Sequence, residues 1–98
     1  MASKTTEAGY RSKVAEACLD FGSNLLNLRF SSVTPDEVQS YVKYLFDWFA
    51  SHHAFTEANV EIAIHAIRFG EEILAARKNA TIQEAIEAIQ ELFENLSA

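Results

Sequence analysis

The chain has 98 residues, 49% of them hydrophobic, with three glycines and one proline. That composition excludes a disordered or collagen-like chain and fits one domain with a modest core. The net charge of −6 repels phosphate, so direct binding to nucleic acid or to an anionic membrane is not expected.

The charge is also uneven. Residues 1–50 carry five basic and six acidic side chains, whereas residues 51–98 carry three and eight. This sign suits a basic protein partner, such as a transcription regulator held off its DNA. The opening segment MASKTTEAGYRSK is polar and lacks the apolar run of a secretory signal. No stretch approaches the ~20 apolar residues of a membrane span. A cytoplasmic protein is therefore expected, with a disordered tail over 1–5 and a single helical domain over 6–98.

The first helix is predicted over about 6–28. Tyr10, Val14, Ala17, Phe21, Leu25 and Leu28 form its main apolar stripe. Ala8, Ala15, Leu19 and Leu26 form a second, roughly half a turn away. Gly22 and Ser23 interrupt the helix in its middle, which invites close helix approach or a local bend. Cys18, the single cysteine, excludes an internal disulfide and a cysteine-based zinc site. It reads as a small core residue, with no histidine or basic residue one turn away to activate it.

The second helix is predicted over 35–51 and announces itself in SSVTPDEV. Thr34 suits the N-cap, Pro35 the first helical position and Glu37 the third, a capping box with Val33 and Val38 as its hydrophobic staple. The stretch YVKYLFDWFASHHAF, from Tyr41 past the helix end to Phe55, holds six of the chain's eleven aromatic residues. Val38, Tyr41, Val42, Leu45, Phe49 and His52 fall on one stripe with Trp48 at its edge. Tyr44 and Phe46 fall on opposite flanks, outside it.

The third helix, predicted over 57–78, is apolar on two sides. Val60, Ala63, Ile64, Ile67 and Leu74 mark one; Ile62, Ala66, Phe69, Ile73 and Ala76 mark the other. Glu57, Glu61, His65, Arg68 and Glu72 occupy the narrow strip that remains. Such a helix is buried from two directions. Thr56 is its cap, with Phe55 and Val60 placed to staple the turn. The fourth helix, over 82–96, starts at a second capping box, Thr81 to Glu84. Its apolar stripe is Ile82, Ala85, Ile86, Ile89, Leu92, Phe93 and Leu96. Glu84, Glu87, Glu91 and Glu94 line its other face with no basic residue on the helix to pair with them, which reads as a solvated face.

Short polar connections make consecutive helices antiparallel, so the expected fold is an all-α, single-domain bundle of four helices. Three of the four carry more apolar surface than one inward stripe requires. That surplus predicts an interaction face, met most economically by a homodimer. The competing arrangement is a monomer in which the third helix runs centrally, covered on both sides.

No chemistry-bearing constellation stands out. There is no phosphate-binding glycine loop, no activated nucleophile and no distinguished carboxylate pair, so an enzyme is not expected and no cofactor is called for. His52, His53 and His65, with Glu57 and Glu61, are the only candidate metal or haem ligands, and they lack the paired spacing of a helical metal site. A helix-turn-helix reading fails because Glu57 and Glu61 would face phosphates. The alternatives are a metal- or haem-binding protein using His52, His53 or His65, and a DNA mimic built on the glutamates of the fourth helix.

In size, charge and helicity, without a shared motif, the chain is similar to small acidic helical regulators that act by sequestration. These include anti-activators, anti-sigma-like inhibitors and phage inhibitors. The expectation is a homodimeric regulator that binds and inhibits another protein. Its contacts are expected at Tyr44, Phe46, Trp48, Phe69 and Ile73, because aromatic anchors dominate binding hot spots.

Overall fold

Three helix starts are fixed by a threonine. At Thr34 both hydrogen bonds of the capping box form: the Glu37 backbone N–H donates to Thr34 Oγ1 (3.1 Å), and the Thr34 N–H donates to Glu37 Oε1 (2.9 Å). Thr81 and Glu84 repeat the arrangement at 3.1 and 2.8 Å. Thr56 Oγ1 accepts from the Asn59 N–H at 3.2 Å. Each cap satisfies N–H groups that the first turn leaves without partners, at about 1 kcal/mol apiece.

The computed structural model describes residues 7–27, 33–77 and 79–97. Among them are four helices and no strand: α1 (Glu7–Asn27), α2 (Pro35–His52), α3 (Glu57–Ala76) and α4 (Ile82–Ser97). The expected tail at 1–5 lies outside the described residues, as do Leu28 and Lys78 at two expected helix ends.

Most of the predicted stripes become the core, while His52 and Leu96, at the ends of theirs, stay exposed. Val14, Cys18, Phe21 and Leu25 of α1 are buried with Val38, Leu45 and Phe49 of α2. Val60, Ala63, Ala66, Ile67 and Leu74 of α3 join Ile82, Ala85, Ile86, Ile89 and Phe93 of α4. Each fully buried large side chain contributes about 1.5–3 kcal/mol.

Packing is unequal. α1 lies against both α2 and α3, and α3 lies against both α1 and α4. The two helices with double apolar patterns are thus the two with neighbours on both sides. Glycines set both outer seams. A Cβ at Gly22 would stand 2.6 Å from Val42 Cγ2 and 2.9 Å from Val38 Cγ1, and one at Gly70 would stand 2.5 Å from Ile89 Cδ1. Gly22 therefore gives close approach to α2, one of the two roles its position invites. Because Arg11 lies over the Phe46 ring while Gly22 faces Val38 and Val42, α1 and α2 run antiparallel. Near their C-terminal ends, α1 and α3 are linked by Asn24 Nδ2 donating to Glu71 Oε2 at 2.7 Å.

The two-sided pattern of α3 is met largely within the chain. On its second side Ala66 is fully buried, and Ile62 and Ile73 are half-buried against the core. Phe69 and Ala76, at the far margin, stay exposed.

Candidate functional site

The C-terminal turns of α2 gather the rings. Phe49, Phe55 and Phe93 are buried. Phe49 meets Phe93 edge-on, with centroids 5.2 Å apart and planes at 82°, and Trp48 meets Phe93 at 6.0 Å and 87°. This is the geometry favoured by the ring quadrupole. Phe46 stacks on Phe55 at 6.0 Å. Over both rings lies the Arg11 guanidinium, 5.4 and 5.1 Å from their centroids, a cation–π contact from α1.

The five expected contact residues therefore have different surroundings. Phe46 and Trp48 are half-buried and packed against the core, one turned toward Arg11 of α1 and the other toward Phe93 of α4. Ile73 is half-buried too. Tyr44 and Phe69 are open, at 52% and 41% exposure. Tyr44 shares a flank of α2 with Trp48, one turn away, and Phe69 shares one of α3 with Ile73. Phe46 and Trp48 do not join in one patch.

His52 and His53 are tied to separate partners. His52 Nδ1 is 2.8 Å from the carbonyl of Trp48, one turn back on α2. His53 Nε2 is 2.6 Å from Glu94 Oε2 and its ring packs 4.3 Å from Phe93. His65 is exposed on α3. Among the described residues no three metal-ligating side chains converge.

The glutamate face of α4 is less solitary than its own sequence implies. His53 of α2 reaches Glu94, and Gln83 Nε2 donates to Glu87 at 3.1 Å. The Thr81 backbone N–H donates to Glu84 and holds its carboxyl below the ordinary value. Cys18 is buried as expected, and burial pushes its thiol up to about 12, so it is inert as a nucleophile at neutral pH.

An apolar trough lies elsewhere, along the outer seam of α1 and α2. Leu19, Gly22 and Leu26 of α1 line it with Val38, Val42 and Lys43 of α2, enclosing about 470 Å³. Leu19 is 61% exposed and Leu26 45%. The sequence carried the signal, since both leucines belong to the second stripe of α1. Preference for aromatic anchors directed attention to α2 and α3 instead. Leu19 is more exposed than any of the expected contacts.

No helix among the described residues is long and apolar enough to cross a membrane. No protein-family model, curated protein or solved structure matches the chain.

Proposed function

We propose that this protein is a non-catalytic regulator that binds another protein and sequesters or inhibits it, working as a homodimer. The supporting observation is a bundle with a continuous core that still leaves Leu19, Leu26, Tyr44, Phe69 and Leu96 exposed. Each exposed side chain forgoes about 25 cal/mol for every Å² that contact with a partner would cover. Aromatic side chains in such positions make strong anchors, and Tyr44 and Phe69 lead the expected set of Tyr44, Phe46, Trp48, Phe69 and Ile73. The net charge of −6 favours a basic partner and hastens encounter with it.

The test uses the chain as bait in an extract of its own cells, beside a Tyr44→Ala/Phe69→Ala variant. A partner purified from the native capture is then titrated calorimetrically with both. Loss of affinity by about tenfold or more in the variant, ~1.4 kcal/mol, supports the reading. Equal affinity for the two proteins removes these rings from the interface. No partner retained at micromolar concentration removes the sequestration role.

A further inference from the structure

The homodimer of that reading requires a surface, and we infer that the α1/α2 trough is where a second copy docks, crossing at Gly22. This rests on the homodimer proposal and adds the location. Shape is the first argument. Gly22 draws α2 so close that no Cβ would fit, leaving a depression floored by Val38 and Val42. Leu19 and Leu26 stand on either side of it along α1, three residues before and four after, and both are exposed. That spacing puts all three on one face of the helix. Depression and ridges therefore lie side by side on one surface. An isologous two-fold contact needs this self-complementarity, with the leucines of each copy seated over the glycine of the other.

Charge decides which occupant fits. Two copies of a chain with net charge −6 repel wherever their carboxylates face each other. Among the described residues no carboxylate lines the trough. Its one charged residue is Lys43, whose Nζ is held by Asp47 Oδ2 at 2.8 Å, one turn further along α2. A basic partner finds no anion to pair with here, and an acidic partner finds a cation already paired. A second copy of the same face brings no carboxylate into the trough itself.

The test is solution mass by light scattering across the micromolar range, on the full native chain and two double variants. Leu19→Gln/Leu26→Gln alters the trough; Tyr44→Gln/Phe69→Gln alters the rings proposed for the partner. All four residues are exposed, so circular dichroism spectra and melting temperatures should stay close to native. A single exchange, Leu19→Gln, replaces the first pair if that variant unfolds. The expected result is a native dimer, a ring variant that remains dimeric, and a trough variant whose dissociation constant rises about 100-fold, as for loss of central anchors. A trough variant as dimeric as the native chain overturns the location and leaves the homodimer standing. A native chain that stays monomeric throughout overturns both. Neither result touches partner binding, which the calorimetric titration reads separately.

Discussion

At the scale of single residues, burial without a polar partner has a measurable consequence at Cys18. Its thiol is pushed from 9.0 up to about 12 because the apolar interior disfavours the thiolate. Below the ordinary value both folded and unfolded chains hold the proton, so the contribution of the group is fully present. Above it the unfolded chain releases the proton while the folded chain keeps it. Stability must then fall with pH, by about 1.4 kcal/mol per unit, until the folded thiol itself ionises. Urea denaturation of the native chain and of Cys18→Ala, at pH 8 and at roughly pH 10.5, isolates this effect from other titrations. The stability of the native chain relative to the variant should decline between the two. A constant difference would place the thiol in water.

At the scale of elements, α3 separates what a pattern implies from what it leaves open. Phe69 and Ile73 lie one turn apart on the same nominal face, yet one is open and the other packs against the core. Phe69→Glu should therefore be the milder exchange, since 41% of Phe69 already lies in water. Ile73→Glu should cost about 1–3 kcal/mol, because it places a carboxylate against apolar neighbours. Denaturant midpoints of the two variants at neutral pH check the contrast. Equal costs would mean that α4 covers the whole of this side, or none of it. The element boundaries were far easier to read than this difference. A threonine with a glutamate three residues on satisfies its own helix within one turn, at Thr34 and again at Thr81. Such a signal is complete in four letters of sequence.

At the scale of the whole molecule, Phe93 joins α4 to the C-terminal turns of α2. Its ring meets Trp48, Phe49 and His53, from a position where it is 1% exposed. Phe93→Ala should cost about 3–5 kcal/mol, a large share of the 5–15 kcal/mol typical of a domain. It should also change the fluorescence of Trp48, the chain's one tryptophan, in the fraction that remains folded. An unfolding midpoint close to native would show that α2 and α4 hold together by other means.

The sequence alone determined the helical class, the four helices, the caps of α2, α3 and α4, and most of the residues that became the core. Those features depend on residues no more than a few positions apart, whose spacing on a helix is fixed by backbone geometry. Tertiary structure decided which stripes found neighbours. The sequence could show that α1 and α3 are both apolar on two sides, but not that α4 would cover much of the second side of α3 while the flank of Leu19 and Leu26 stayed open. It could show a row of glutamates on α4, but not that His53, 41 positions from Glu94, would meet it. Nor could it join Asn24 to Glu71, 47 positions apart. Such pairings follow from how rigid helices pack as bodies, with glycines at the seams setting how closely they approach, and local spacing does not encode them.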